Sequence, residues 1–312
     1  GCDNCYAVQM SKRLASMGQR KYQGLVNPGK SHFNGVVRTW RDELNKPLRW
    51  KKPTRIFVNS MSDLFHENVP SIFIDEVFSV MGLCRQHTFM VLTKRADRME
   101  EYILAEHPLY GNRVPRHLPN VLLGISVESQ EMADKRHGHL ARLHDQGWRT
   151  FWSAEPLLGA VSIAEACYGG GRLPESEGFG LDWVICGGES GKGARPMHPD
   201  WARRLRDECQ AAGVPFLFKQ WGEWGPRRTD NVVRDEDLGQ LLPMVIASST
   251  DRRQVGTRLF HAYPSQREEP PGAAKSHPRR FSYFDEMNKV GKKAAGRLLD
   301  GREWNEFPEV RG

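Results

Sequence analysis

Short apolar runs alternate with amphipathic segments along the first two-thirds of the chain. The runs are four to seven residues long and rich in β-branched and aromatic side chains, as is typical of buried strands. The predicted strands are Arg55–Asn59, Thr88–Thr93, Val121–Val127, Thr150–Ser153, Trp183–Cys186 and Phe216–Lys219. Helical spacing of apolar residues predicts helices at Ala7–Met17, Ile72–Leu83, Ala96–Leu104, Gln130–Gln146 and Pro199–Ala212. This alternation predicts an α/β fold with a parallel sheet.

The ends of the predicted strands carry the polar residues that a site would need. Each strand is followed by polar or small residues, such as Asn59 and Ser60 after the first strand. A doubly wound sheet gathers such residues at one switch point, whereas a barrel places its site over all the strand ends. Because the six strands behave alike, we expect a parallel (β/α) barrel that is partial, with six visible strands and a seventh upstream of Gly1.

The apolar rhythm stops near residue 225 and divides the chain into three parts. Residues 1–225 are expected to form the barrel, and the polar residues 226–282, with scattered Pro and Arg, an irregular insertion. Residues 283–312 are expected to form a C-terminal extension with a closing helix over Phe284–Leu299. Two aromatic residues are expected to dock this tail on the barrel: Trp304 and Phe307.

Positive charge is concentrated at the start of the chain. The formal net charge is +7, but residues 1–55 carry twelve Lys/Arg against three acidic residues, so the rest is close to neutral. This basic segment predicts a long loop with a short helix near Val36–Leu44, and it contains Tyr6, Tyr22, Phe33, Trp40 and Trp50. Basic and aromatic side chains together suit nucleic acid or another polyanion. A solvated loop accounts for the same pattern.

Composition excludes several classes of protein. No run approaches the ~18 apolar residues of a membrane span, so no membrane partner is expected. Six cysteines in 312 residues are too few for a disulfide scaffold, and all but Cys2 and Cys5 stand alone. This usage suits a reducing compartment, and we expect a cytoplasmic protein. Because the sequence begins at Gly1 rather than Met, we expect its natural start to lie upstream.

The CxxC motif of Cys2 and Cys5 is the sharpest chemical signal in the chain. Two thiolates three residues apart can share a metal ion or an iron–sulfur cluster. A closed zinc site would need a second CxxC or a His pair nearby, and a cluster would need at least one more cysteine. Spacing alone therefore leaves four interpretations of the motif open: a zinc site, a redox disulfide, an iron–sulfur cluster and coincidence.

Several segments together resemble one protein family. They are Cys2–Tyr6, NSMSDLFH (59–66), LTKR (92–95), GISVES (124–129), SAEPLLG (153–159), ICGGESG (185–191), FKQWGEW (218–224) and VGKKAAGRLLDG (290–301). The family is phage-related and bacterial, has no assigned reaction, and resembles the radical S-adenosylmethionine (SAM) enzymes in its cysteine pattern. In that family a third cysteine precedes the equivalent of Cys2, which here would lie upstream of Gly1.

The resemblance implies a radical SAM enzyme that uses a [4Fe–4S] cluster and an electron donor. Three thiolates leave one iron open for the amino and carboxylate groups of SAM, and one-electron reduction then yields a 5′-deoxyadenosyl radical that abstracts hydrogen. Related enzymes hold the SAM amino group where this chain has Asn59, Ser60, Ser62 and Asp63. The other candidate cofactor-binding residues are Ser126 and Glu128 for the ribose, then Ser153, Glu155, Gly187 and Gly188.

Five cations near the strand ends are candidates for binding an anionic substrate: Lys94, Arg95, Lys192, Arg195 and Lys219. Structural roles stay open for the acidic candidates. Asp63 would cap the turn into the next helix, Glu128 would pair with Lys94 or Arg95, and Glu155 would only shape a loop.

Three functions follow from these patterns. The first is a radical SAM enzyme acting on an anionic substrate, nucleic acid being one such class. The second is a non-catalytic nucleic-acid-binding barrel that has lost the radical chemistry. The third is a metal-dependent hydrolase that uses the strand-end carboxylates, with His66 as the only histidine close to a strand end.

Overall fold

The six predicted strands form one parallel sheet whose order follows the chain. A computed structural model describes residues 4–107, 111–112, 117–168, 179–226, 257–259 and 286–308. The strands are β1 (Arg55–Val58), β2 (Thr88–Thr93), β3 (Val121–Ser126), β4 (Arg149–Ala154), β5 (Trp183–Gly187) and β6 (Phe216–Gln220). The sheet curls into a half-barrel. The strand order has no reversal, so the doubly wound alternative is excluded.

Helices cover the convex face of the sheet. They are α3 (Ser71–Leu83), α4 (Ala96–Leu104), α5 (Gln130–Asp145), α6 (Ile163–Tyr168) and α7 (Pro199–Ala211). Three further helices are α1 (Tyr6–Ser16), α2 (Lys46–Arg49) and α8 (Lys292–Ala295). Alternate strand residues such as Val91, Leu123 and Trp152 point into this helix-covered core. In the described parts of the chain, no helix is long and apolar enough to cross a bilayer.

The concave face has a smaller apolar cluster of its own. Met90, Leu122, Phe151, Trp183 and Ile185 are buried there. A Cβ atom at Gly124 would lie 2.3 Å from the Phe151 ring, so only glycine leaves room for this ring over β3.

The C-terminal tail closes the amino end of this concave face. The Phe307 ring lies 4.6 Å from that of Trp183, centroid to centroid, and the Arg55 guanidinium lies 3.9 Å from the Phe307 centroid. Trp183 donates its indole N–H to the carbonyl of Glu306, and the amide of Phe218 donates to the carbonyl of Trp304. These contacts of the tail lie at the amino end of the half-barrel, and the candidate site lies at the opposite, carboxyl end.

The predicted closing helix over Phe284–Leu299 is wrong. Residues 286–289 form a strand instead, in a three-stranded antiparallel sheet of β7 (Trp224–Pro226), β8 (Thr257–Leu259) and β9 (Glu286–Lys289), in the order β8–β9–β7. Gly291 at φ +84° and Gly296 at φ +73° then confine helix α8 to four residues. Of the predicted irregular insertion 226–282, residues 227–256 and 260–282 lie outside the described residues, residue 226 ends β7, and residues 257–259 form β8.

The segment between α1 and α3 lies on the surface. No residue from 12 to 63 is buried, although Val37 and Leu44 pack against the main core. The helix predicted near Val36–Leu44 is replaced by a single 3₁₀ turn at Arg41–Glu43, followed by α2. Pro47 at the start of α2 has no N–H to donate, which favours a helix beginning there rather than running through it.

Candidate functional site

The loop that carries the CxxC motif is anchored at the carboxyl edge of the half-barrel on both sides of Cys5. On one side, the Asn4 amide donates to the Gly193 carbonyl at 2.8 Å and to Glu189 Oε2 at 3.2 Å. On the other, the Tyr6 hydroxyl donates to the Ser60 carbonyl at 2.5 Å. The loop therefore bridges the segments that follow β1 and β5.

Cys5 is available for chemistry at this position. Its thiol is half-buried and forms no disulfide, and Cys5 immediately precedes α1. Cys2 lies outside the described residues. Within the described ranges, no group of three or more His, Cys, Asp or Glu side chains could hold a metal ion.

Glu189 is the acidic residue that holds the cysteine loop. The sequence offered it only as a strand-end carboxylate for the hydrolase alternative, not as a cofactor-binding residue. Its side chain is buried and accepts hydrogen bonds from Arg195 Nη2 at 2.7 Å, Arg195 Nε at 2.9 Å and the Arg195 amide at 2.8 Å. Burial by itself would raise the pKa of Glu189, but the hydrogen bonds from Arg195 and Asn4 outweigh it and lower the pKa below its usual value.

Glu128 is sandwiched between two cations after β3. It pairs with Lys94, which follows β2, and with Arg136 of α5 at 2.8 Å. Arg136 also donates to the carbonyl of Ser126 at 2.6 Å. The alternative in which Glu128 pairs with Lys94 is confirmed. The Ser126 side chain lies on the concave face, since its neighbour Ile125 points into the helix-covered core.

Asp63 organises the loop after β1 through both carboxylate oxygens. Oδ1 accepts from the Thr93 hydroxyl at 2.7 Å and from the Phe65 amide at 3.0 Å. Oδ2 accepts from the Lys94 amide at 3.2 Å and from Arg95 Nη1 at 3.0 Å. These bonds tie the β1 and β2 ends together, so Asp63 has the structural role of a loop cap.

Three further candidates lie near Asp63, in the turn that follows β1. Asn59 has φ +56°, and its carbonyl accepts from the Ser62 amide at 3.0 Å. Ser60 is exposed beside the cysteine loop.

Glu155 reaches across a neighbouring strand to find its partner. It follows β4, but its Oε2 pairs with Lys219 of β6 at 2.8 Å and its Oε1 accepts from Gln220 at 3.1 Å. Gly187 of β5 lies between them, and a Cβ atom there would lie 3.3 Å from Glu155 Oε1. The absence of a side chain at Gly187 therefore lets Glu155 extend across β5 to Lys219. Ser153 is buried two residues earlier on the concave face.

Gly188 permits a close approach between two loops. A Cβ atom at Gly188 would lie 2.0 Å from the Trp221 carbonyl oxygen, and one at Gly222 would lie 2.1 Å from the Glu189 carbonyl oxygen. Gly188 also donates its amide to the Gln220 carbonyl at 2.9 Å. These backbone contacts account for glycine at Gly188, and its predicted approach to a ligand stays a prediction.

Four ion pairs thus line the carboxyl edge, and we call these eight residues the ion-paired rim. The pairs are Asp63–Arg95, Glu128–Lys94, Glu155–Lys219 and Glu189–Arg195. Four of the five predicted substrate-binding cations therefore pair with carboxylates of the same edge. The fifth, Lys192, is exposed, and its carbonyl accepts from Lys289. Alternating charges in fixed positions suit a small ligand that carries both signs.

Sequence reasoning missed the residues that reach this edge from elsewhere in the chain. Asn4 lies between the two cysteines and Arg136 eight residues after Glu128, and both are ordinary polar residues in the sequence. The position of Asn4 inside the CxxC motif was the only available signal. Nothing in the spacing of Arg136 marks it.

The other cysteines differ from Cys5 in their surroundings. Cys84, Cys186 and Cys209 are buried in the core, where loss of solvation raises the pKa of each thiol. Cys167 of α6 lies 3.0 Å from His137 Nε2, Sγ to nitrogen. Burial raises the pKa of Cys167 to about 12 and lowers that of His137 to about 4, so this pair is neutral near pH 7. Cys5 is thus the described cysteine that lies at the carboxyl edge of the half-barrel, and its predicted role as a metal ligand stays a prediction.

Comparison with known proteins places the chain in a family without assigning a reaction. No curated protein and no solved structure matches it. The family model described as a protein of unknown function, DUF5131, matches residues 1–308. The chain therefore belongs to the DUF5131 family.

Proposed function

We propose that this protein is a radical SAM-type enzyme that acts on an anionic substrate in the reducing cytoplasm. The single observation that carries the proposal is the docking of the cysteine loop, through Asn4 and Tyr6, on the carboxyl edge of a parallel half-barrel. Catalytic groups of parallel (β/α) barrels lie at this edge. A CxxC in a loop unrelated to the site would have no reason to be held there from both sides.

The residues present fit an iron–sulfur cluster. Thiolate is the ligand that such clusters take, and Cys5 is free, half-buried and at the site edge. Cys2 and a third cysteine, expected upstream of Gly1, would complete the ligand set. A [4Fe–4S] cluster with one open iron would supply the reductive cleavage of SAM into a hydrogen-abstracting radical, given an electron donor.

The ion-paired rim would bind and orient SAM. The methionyl part of SAM carries an ammonium and a carboxylate, and the rim presents carboxylates beside cations in fixed positions. Glu128 and Glu155 are each held by a cation, which fixes the positions from which their carboxylate oxygens would accept from ribose hydroxyls or the ammonium. Ser126 and Ser153 add hydroxyl groups on the concave face.

The family resemblance also supports a finer description of the fold. We propose that the half-barrel is a partial (β/α) barrel of the radical SAM type, completed by a seventh strand upstream of β1. Under this proposal the missing strand would lead into the cysteine loop, and residues 1–225 would form one catalytic domain.

Iron content provides the direct test. The protein is expressed from its natural start and purified without oxygen, and iron and sulfide are assayed together with visible absorbance. We expect about four irons per chain, lost in Cys2→Ala/Cys5→Ala. The matched control is Cys167→Ala, which removes a half-buried thiol from α6 and should leave the iron content unchanged.

Asn4 separates docking of the loop from ligation. Asn4→Ala removes two hydrogen bonds but no sulfur, so we expect the cluster to assemble and then to be lost faster on exposure to oxygen. No iron in the anaerobic wild-type protein would overturn the proposal. The rim carboxylates give the hydrolase alternative no support, because each of them pairs with a cation.

A further inference from the structure

Residues 12–57 are folded, yet none of them is buried. Lys12 donates to the Lys30 carbonyl at 2.5 Å, Asn34 donates to the Gly24 carbonyl at 2.9 Å, and Lys21 pairs with Glu43 at 3.0 Å. These contacts give the segment a defined shape without burying any of its residues. We call residues 12–57 the basic surface.

Most cations of the basic surface have no carboxylate partner. Twelve Lys/Arg face only Asp42 and Glu43 within the surface. Glu43 pairs with Lys21 and Lys46, and Glu76 of α3 pairs with Arg41. Eight exposed cations form no ion pair with any residue in the described ranges: Arg13, Arg20, Lys30, Arg38, Arg49, Lys51, Lys52 and Arg55. Their charge is therefore available to an anionic partner.

Aromatic rings are exposed among these cations. Phe33, Trp40, Trp50 and Phe57 each leave more than a third of their surface accessible, at 36%, 37%, 43% and 39%. Trp50 contacts the His87 ring edge-on near the amino end of β2, whereas Phe57 lies on β1, the edge strand of the half-barrel. Trp50 and Phe57 thus lie near the first two strands of the sheet.

We infer that the basic surface binds single-stranded nucleic acid. Unpaired cations would neutralise the phosphates, and exposed rings would stack with bases that are themselves unstacked. A duplex offers the same phosphates but keeps its bases stacked, so it would use the cations and not the rings. If the proposed function is also correct, the strand would deliver one of its unstacked bases to the cysteine loop at the carboxyl edge.

Fluorescence anisotropy with a labelled single-stranded oligonucleotide of about 16 nucleotides tests the inference, in DNA and RNA arms and against the matching duplex. We expect tighter binding of the single strand, and affinity that falls steeply between about 50 mM and about 200 mM salt. Lys51→Ala/Lys52→Ala should reduce the slope of log affinity against log salt by about 1.4. Lys135→Ala/Lys293→Ala removes two exposed cations elsewhere and should leave the slope unchanged.

Trp40→Ala separates stacking from charge. We expect affinity for the single strand to fall about tenfold, with little change for the duplex or for heparin. Leu83→Ala, which removes an apolar side chain that is 73% exposed on α3, should have no effect. Three results would each overturn the inference. They are equal binding of duplex and single strand, an equal loss of affinity in the control variants Lys135→Ala/Lys293→Ala and Leu83→Ala, and no effect of Trp40→Ala.

Failure of this inference can be told apart from failure of the proposed function. Binding at the basic surface needs no iron, so Cys5→Ala should bind the oligonucleotide as tightly as the wild-type protein. An iron-containing protein that binds no oligonucleotide would overturn the inference alone. An iron-free protein that binds it would overturn the proposed function alone.

Discussion

Lys94 and Lys51 are the same side chain in two electrostatic settings. Lys94 belongs to the ion-paired rim, where its side chain is 31% exposed and pairs with the buried Glu128. Lys51 belongs to the basic surface, where it is exposed and pairs with no carboxylate of the described chain. The rim holds four cations against four carboxylates, whereas the basic surface holds twelve cations against two.

The difference indicates two separate roles for Lys and Arg, orientation of a small ligand and capture of a polymer, which the sequence alone does not distinguish. Paired charges of the rim cancel beyond about one Debye length, ~8 Å at physiological salt, so they attract a distant polyanion weakly. They are fixed in position, which suits orientation of a small ligand. Unpaired charges of the basic surface act at longer range, which suits capture of a polymer. We therefore propose polyanion capture for the basic surface rather than for Lys94, Arg95, Arg195 and Lys219.

The largest expected effect comes from breaking the rim at Glu128, a buried carboxylate that pairs with two cations. Glu128→Gln would leave Lys94 and Arg136 facing each other without a negative charge between them. Since removing one partner of a buried pair is strongly destabilising, we expect the free energy of unfolding to fall by about 3 kcal/mol. Urea unfolding followed by tryptophan fluorescence measures the loss.

The matched control lies on the basic surface. Glu43 also contacts two cations, but its side chain is 38% exposed, so solvent screens both pairs. Glu43→Gln should cost under about 1 kcal/mol. Equal losses for the two variants would show that the rim and the basic surface do not differ in how firmly charge is held.

An intermediate effect is expected from pH. The pKa of Glu189 is lower in the folded protein than its usual value, so its contribution is full above the unfolded pKa of about 4.3. The contribution is lost as the pH falls through the lower folded pKa. Glu189→Gln should therefore lower stability by about 2 kcal/mol at pH 7, and the difference from wild type should shrink below about pH 4.

Chemical denaturation across this pH range provides the measurement. Asp42→Asn is the comparison variant, since Asp42 is exposed on the basic surface and no described cation pairs with it. Its unfolding free energy should run parallel to that of the wild-type protein. A difference between Glu189→Gln and wild type that stays constant down to pH 3 would contradict the role of the Glu189 charge.

Much of the fold was predictable because local patterns agree with the tertiary structure. β2 and α4 match their predicted bounds, and the other five main strands end within a residue of prediction at each end. Buried apolar runs bounded by polar residues leave little ambiguity. β9 was missed because the apolar residues Met287 and Val290 fit helical spacing in a short segment. Its strand partners β7 and β8 are distant in the chain.

The site was predictable in composition but not in pairing. Parallel strands place their carboxyl ends at one edge, so polar residues after each strand had to meet there. Lys94 and Glu128 follow adjacent strands, and their contact was among the alternatives. Glu155 and Lys219 belong to strands that are not neighbours, and their contact depends on the glycine at 187 between them. No local pattern encodes a contact across an intervening strand.

This cross-strand pair gives the smallest expected effect and the finest test of the comparison. The Lys219 side chain is 52% exposed, so a double-mutant cycle of Glu155→Gln and Lys219→Gln should give a coupling energy of about 0.5 kcal/mol. Glu155→Gln combined with Lys51→Gln should be additive within about 0.3 kcal/mol, because these residues share no partner. If both cycles gave the same value, the Glu155–Lys219 contact would contribute nothing specific to the rim. A coupling confined to the first cycle would show that even Lys219, the most exposed rim cation, is held in place by a carboxylate. Lys51, a cation of the basic surface without a carboxylate partner, would show no such coupling.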